Sequence, residues 1–305
     1  MSTTQRVVPI GRAVGATRLR HLSWHGGLIG SEYAWALGFA VPYIAIFLLF
    51  VIYPIIYGLW LGSEPALYGQ LFADPRYGIA LVNTLVYVGI GVNLHILLGF
   101  LLSGFFMRKG WWVKPLLVAF ILPWATPALP AFISIHWFFD GQYGLLNNLL
   151  YWLFGIDGPV YLNYRWLGMA CNIAAYVWKN TPFWTIIFLA GRMSIPHELY
   201  EAADVDGATG LRRFANVTLP LMANLYLVCT LLSTVFTLGD FNAVYFVSGG
   251  GPNMSTEVLA TLGIRYAFTL GLPRLGVAEV MTALPVMLPL VFLLMQKLRM
   301  TERQL

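Results

Sequence analysis

Charge, cysteine and the signatures of common enzymes are all scarce in this 305-residue chain. Charged residues make up 10% of it, against about 25% in an ordinary soluble domain. So few charges cannot coat a water-facing surface, and with 59% hydrophobic residues most of the surface must face lipid. The two cysteines, Cys171 and Cys229, lie far apart inside apolar segments with no CxxC spacing. They read as small buried hydrophobes, not as a disulfide or metal framework. None of the lysines is followed by Ser or Thr, so there is no P-loop and the chain is not itself an ATPase. HExxH, GxSxG and paired Cys/His metal spacings are absent too, which leaves an enzyme reading with only scattered intramembrane acids. Repeats of about 20–50 residues and low-complexity tracts are also missing. The net charge of +5 is no nucleic-acid signal. It gathers in the N-terminal arm (Arg6, Arg12, Arg18, Arg20) and in short loops, where membrane proteins keep positive charge on the cytoplasmic side.

What the chain does have is apolar runs of about 20 residues, the length that crosses a bilayer. Six are predicted, over 34–61, 79–107, 111–139, 166–190, 219–247 and 277–295. The first is too long for a signal-peptide core and lacks a small-residue cleavage site, so it reads as an uncleaved span. Arginine and lysine favour alternate connections: the arm, the turn with Arg108, Lys109 and Lys114, the loop from Arg192 to Arg213, and the tail with Lys297, Arg299 and Arg303. The intervening loops hold Arg76, Arg165, and Arg265 with Arg274. This asymmetry predicts an all-α, multi-pass membrane protein with both termini cytoplasmic. Its parts are an arm at 1–33, a membrane domain at 34–298 with a polar cytoplasmic loop at about 192–218, and a tail at 299–305. Prolines interrupt several spans, and each freed carbonyl needs a partner from a neighbouring helix or a wet cavity.

The polar loop is the most informative segment. Ser194 is predicted to cap a helix opening near Pro196. Ile195, Leu199, Ala202 and Ala203 share one side of it, with Glu198, Glu201 and Asp204 on the others. Asp206-Gly207 is a helix stop, and a second short helix at about 211–217 leads to Leu219-Pro220, which opens the next span. Glu201-Ala202-Ala203, three residues, Gly207, nine residues, then Val217-x-Leu219-Pro220 resembles the EAA loop of carbohydrate-type ABC importer permeases. Val217 stands where that family more often has Ile. Two further runs carry the likeness. Trp178-Lys179-x-x-Pro182-Phe183 looks like the family's W-K-x-x-P-F. Phe241-Asn242-x-x-Tyr245-x-x-Ser248-Gly249-Gly250-Gly251-Pro252 looks like its F-D/N-x-x-Y-x-L-T-G-G-G-P, with Ser248 for Thr. Together the matches cover about 178–268.

The resemblance implies a permease subunit of the maltose/glycerol-phosphate type. Such a subunit pairs with a second permease as a heterodimer, sits on two ATPase subunits that hold ATP and Mg, and receives a sugar or polyol from an extracytoplasmic binding protein. The chain itself would need no cofactor. Glu201, Ala202, Ala203, Asp206, Gly207, Ala208, Leu219 and Pro220 would form the ATPase-coupling element. The positions matching the family's sugar site are Tyr176, Lys179, Asn180 and Phe183, then Ser233, Phe236, Thr237 and Asp240. Hydroxyl, amide and aromatic groups suit a neutral polyhydroxylated ligand, although Lys179 and Asp240 can equally form an ion pair between spans. Asn83, Asn93 and His95 lie in the second span and His136 near the outer end of the third; the histidines read as structural hydrogen-bonders or interfacial residues, and Glu32 and Glu279 as interfacial. Two rivals stay open: a proton- or sodium-coupled carrier using Lys179, Asp240 and His95, and a membrane scaffold or enzyme subunit.

Overall fold

The computed structural model describes residues 31–302. The arm up to residue 30 and the last three residues of the tail lie outside that range, so those two assignments rest on the sequence. Every regular element among the described residues is helical. Of the described residues, 31–56 form one compact unit and 57–302 a second.

From the first unit, α1 (Ser31–Phe47) passes through a π-helical turn (Leu48–Ile52) into α2 (Tyr53–Leu61), whose residues from Tyr57 on belong to the second. A proline ring presses on the carbonyl four residues back, which for Pro54 belongs to Phe50, inside the π-turn. There the Tyr53 N–H bonds Leu48 O, one residue further back than in an α-helix. The expected break is thus absorbed as a local widening, and Trp35–Leu61 runs as one apolar span of 27 residues.

The second unit continues with α3 (Pro65–Ala73), α4 (Pro75–Phe106), the pair α5 (Val113–Ala125) and α6 (Ala128–Phe138), α7 (Leu145–Phe154), and α8 (Arg165–Met193). Then follow α9 (His197–Val205), α10 (Leu211–Arg213) leading through a π-turn (Phe214–Thr218) into α11 (Leu219–Leu238), α12 (Asn242–Val247), α13 (Leu259–Ile264), α14 (Pro273–Met281) and α15 (Leu284–Glu302). Its centre is the long contact of α4 with α8. Gly99 permits this: a Cβ there would lie 3.2 Å from the Thr185 nitrogen and from Trp184 Cβ, and membrane helices approach closely where residues are small.

Three described helices are long and apolar enough to cross a membrane: Trp35–Leu61, Pro75–Phe106 and Leu211–Leu238. A fourth span results if α5 and α6 count as one. The predicted fourth span, α8, has 29 residues, about 44 Å at 1.5 Å per residue, which is ample length. What holds down its apolar character is Asn172, Lys179, Thr181, Thr185 and Arg192, all buried against neighbouring helices. Three predicted spans change shape. The third is broken, with α5 and α6 bent by 97°, because Thr126 precedes Pro127 and is held extended (φ −70°, ψ 138°). The fifth begins earlier, at Leu211, and ends at Leu238. The sixth divides at Thr282-Ala283 into α14 and α15. Glu279, expected at an interface, is instead fully buried on α14.

At the end far from the polar loop, the glycine-rich turn after α12 is tied down by side chains. Ser248 Oγ accepts from Asn172 Nδ2 at 2.9 Å and pairs with Thr256 Oγ1 at 2.9 Å. Asn83 Nδ2 donates to the Ser255 and Glu257 carbonyls, both at 2.8 Å, and its Oδ1 accepts from Arg165. Glu257, 1% exposed, takes the Arg265 guanidinium at 2.6 Å. Ahead of α4, burial works to raise the Asp74 carboxyl, but hydrogen bonds from Arg76 and Tyr266 outweigh it and hold the group at about 2, below its ordinary 3.8. A depressed carboxylate stabilises the fold above its unfolded value and loses that effect as pH falls through the folded one. This anchor is therefore fully in place at neutral pH and fails only in strong acid.

Removing one partner of a buried ion pair leaves an uncompensated charge. Arg265→Ala should therefore cost about 3–5 kcal/mol and lower the unfolding temperature of the detergent-solubilised protein. The double change Arg265→Ala with Glu257→Gln should recover much of the loss; a double mutant no better than the single would show that the pair is not what matters.

Candidate functional site

The loop between α8 and α11 is a compact L. Ser194 does not cap α9. Its Oγ turns back to the Gly191 carbonyl at 2.7 Å and helps close α8, while Pro196 occupies the N-cap position without a side-chain bond. The far end of α9 follows the sequence reading closely. The Ala208 N–H bonds Ala203 O at 2.8 Å and the Gly207 N–H bonds Asp204 O at 3.1 Å, the paired bonds of a Schellman stop. Gly207 takes φ +71° with open space around it, so only backbone conformation demands glycine there. Arg213 then clamps the corner through Asp204 at 2.9 Å, and Tyr200 meets Thr218 at 3.3 Å.

The second short helix is not separate from the fifth span. The carbonyl facing Pro220 is that of Asn216, inside the π-turn Phe214–Thr218, so the proline is accommodated as Pro54 is. Of the predicted coupling residues, Ala203 is buried, while Glu201, Ala202, Asp206, Gly207, Leu219 and Pro220 are exposed and Ala208 half-buried. Leu199, Ala202, Ala203, Asp206, Gly207 and Ala208 line a shared hollow of about 540 Å³. The root of the loop is rigid. Phe214 and Ile195 pack on the cluster of Phe100, Phe188 and Met222 that joins α4, α8 and α11.

The predicted sugar-site residues divide into two groups. Tyr176, Ser233, Thr237 and Asp240 come together in a polar ladder linking α8, α11 and α4. Tyr176 OH meets Thr237 Oγ1 at 2.8 Å. His95 Nε2 meets Ser233 Oγ at 2.6 Å, a structural bond of the kind the sequence suggested for this histidine. Tyr87, which sequence reasoning missed, donates to Asp240 Oδ2 at 2.9 Å, and the Ala243 N–H donates to the same oxygen at 3.2 Å. The Tyr87 and Tyr176 rings lie 5.3 Å apart. The one available sign was position: Tyr87 and His95 are eight residues apart on one helix, hence on one face.

Lys179 and Phe183 turn the other way, toward the broken third span. Lys179 Nζ donates to the Thr126 carbonyl at 2.6 Å and the Pro123 carbonyl at 3.0 Å. The ion pair with Asp240 does not form. The ammonium instead sits at the carbonyl end of α5, where a helix dipole favours a cation. Phe183 stacks on Trp124 at 5.3 Å. Asn180 Nδ2 bonds the Tyr176 carbonyl at 2.9 Å, and Phe236 is 59% exposed. Among the described residues no group of three or more His, Cys, Asp or Glu is placed to hold a metal.

Among the described residues the molecule is an all-helical bundle with a glycine-stopped loop rooted between two central helices, α8 and α11. Residues 95–299 match the family described as binding-protein-dependent transport system inner membrane component, and the chain belongs to that family. It is therefore an inner-membrane transport subunit and not an enzyme; in these systems the ATPase is a separate partner. Among relatives, it is 35% identical to the sulfoquinovosyl glycerol transport system permease protein SmoG of Agrobacterium fabrum, over 63% of this chain and 62% of that protein. It is 30% identical to the trehalose/maltose transport system permease protein MalF of Thermococcus litoralis, over 74% of this chain and 81% of that protein. In fold it resembles a subunit of a bacterial ABC transporter that imports the acidic polysaccharide alginate. The TM-score is 0.75 at 23% identity, over 88% of this chain and 96% of that one. The same transporter in complex with a pentasaccharide-bound periplasmic protein gives 0.79 at 22% identity.

Because Lys179 satisfies carbonyls that the break would otherwise strand, Lys179→Ala should destabilise the protein by about 1–3 kcal/mol, read as a lower melting temperature in detergent. Lys179→Gln keeps a donor and should be milder. Equal stability of the alanine variant and the wild type would remove the lysine from this role.

Proposed function

We propose that this chain is the A/F-like permease half of a heterodimeric importer for a neutral sugar or polyol. An extracytoplasmic binding protein delivers the solute, and two ATPase subunits, which hold ATP and Mg, drive its passage. Both termini and the α9 loop face the cytoplasm in this reading, as the arginine and lysine distribution favours. The observation that carries it is the stopped helix α9, whose small residues Ala202, Ala203, Gly207 and Ala208 leave a hollow that a partner surface can enter. Glu201 lies exposed beside it. ATP-driven closure of the ATPase pair would move the loop as a rigid lever, and its root among Phe100, Phe188 and Phe214 would pass the displacement to α4, α8 and α11.

For the solute we propose the path beside α8 and α11, with Asn180, Phe183, Phe236 and Asp240 nearest to it and Tyr176, Ser233 and Thr237 bracing those helices from behind. Sugar names among the relatives, and the mixture of amide, carboxylate and ring groups here, support a polyhydroxylated ligand. Lys179, already committed to two carbonyls, is poorly placed to bind a phosphate. The secondary-carrier reading loses support for the same reason, since Lys179 and His95, two of its three coupling groups, are held in structural bonds.

Gly207→Pro should leave the protein in the membrane and paired with the second permease but abolish ATP-driven uptake, because proline cannot adopt φ +71°. Uptake at wild-type rate in that variant would end the coupling argument. Asp240→Asn, which keeps an acceptor for Tyr87, should reduce sugar-stimulated transport by about tenfold, the scale of one hydrogen bond to a charged group, with assembly little changed. Normal transport would move the solute path elsewhere.

A further inference from the structure

Beneath α9, on the side away from the hollow of Ala202 and Gly207, lies a second cavity of about 780 Å³. Its walls come from the end of α4 (Gly104, Met107), the end of α8 (Arg192, Met193), α9 and the π-turn. Arg192 is 8% exposed and makes no ion pair among the described residues. Its Nε donates to Ser103 Oγ at 2.7 Å and its Nη2 to the Phe100 carbonyl at 3.0 Å, and its guanidinium lies over the Phe100 ring at 4.7 Å. Among the described residues Nη1 has no hydrogen-bond partner. Gly104 lets this group come close: a Cβ there would sit 3.4 Å from Arg192 Cζ. The one carboxylate on the cavity wall, Asp204, is already paired with Arg213 at 2.9 Å. The cavity therefore carries one unmatched positive charge, and a buried unmatched charge is costly.

We propose that this cavity binds the phosphodiester headgroup of an anionic phospholipid, with Arg192 Nη1 as its principal donor. The location favours lipid over an acidic protein side chain. Gly104 and Met107 end a helix long enough to span the bilayer, so the cavity lies at headgroup depth. Met107, Met193, Ile195 and Phe214 give it an apolar flank for a glycerol backbone. The cations Arg108 and Lys109 follow directly on α4 and draw anionic lipid to that leaflet. A headgroup held there would brace α9 against the spans, between the ATPase and the solute path. The inference rests on the orientation proposed above but not on the identity of the solute.

The test is retention of lipid by the complex purified with its partner chains. Complexes exchanged into micelles doped with equal phosphatidylglycerol and phosphatidylcholine are washed, and bound lipid per protein is measured by mass spectrometry. The wild type should keep phosphatidylglycerol in preference. Arg192→Gln should lower that retention by about tenfold, Arg192→Lys should keep much of it, and Gly104→Leu, which fills the space while leaving the charge, should lose it. Equal retention of the two lipids by the wild type would overturn the proposal. So would undiminished retention in Gly104→Leu, a variant that stays informative if Arg192→Gln does not fold. A cavity that takes up the anionic lipid only after the ATPase is stripped would belong to an acidic side chain of that partner. No arm depends on sugar flux, so failure here and failure of the importer reading are separable.

Discussion

Within a bilayer a backbone carbonyl has no water to fall back on, and this fold is arranged around that constraint. The sharpest case is the third span, which bends by 97° between α5 and α6 and strands carbonyls at Pro123 and Thr126. A lysine from α8 reaches across to take both. That one side chain fixes the bend, sets Trp124 against Phe183, and commits α8 to carrying a charge through the middle of the bundle. Two of the three described π-turns, Leu48–Ile52 and Phe214–Thr218, are the milder answer to the same constraint, since each widens the ladder next to a proline so that the helix continues.

From that arrangement follows a division of labour along α8. Its middle is a polar strut: Tyr176 reaches α11, Asn172 reaches the glycine-rich turn, and Lys179 reaches α5. Its last turn is the root of the α9 loop, where Arg192 lies among Phe100 and Phe214. One helix thus touches the far-end turn, the proposed solute path and the loop proposed to meet the ATPase. A displacement of the lever has a short, stiff route to the path, because α4 and α8 are pressed together at Gly99 with no room for slack.

The sequence made some of this legible. Helical class, a membrane setting and the stop of α9 at Gly207 followed from composition, run length and a motif whose spacing is set by backbone geometry. Gly207 is required by a positive φ, and such requirements show in one sequence. Pairing across the bundle did not show. Lys179 and Asp240 had opposite charges at suitable depths, and an ion pair was as reasonable as a ligand site, yet the carbonyls at the break claim the lysine and Tyr87 claims the aspartate. Backbone acceptors have no sequence letter, so their demand was invisible. Glu279 was placed at an interface because it opened a predicted span, and the split into α14 and α15 buried it. Ser194 was read forward as a cap and turned backward, a choice that depends only on local φ and ψ.

The central claim is that this chain works as one half of an ATP-driven importer. The most direct measurement is gentle-detergent isolation of the tagged wild-type chain from its own membrane, followed by identification of what comes with it and by a sugar-stimulated ATPase assay on the product. Recovery of a second permease and an ATPase in a one-to-one-to-two ratio, with hydrolysis that rises when sugar-loaded binding protein is added, is the predicted result. Recovery of the chain alone, with sugar uptake that follows the proton gradient and not ATP, would contradict it.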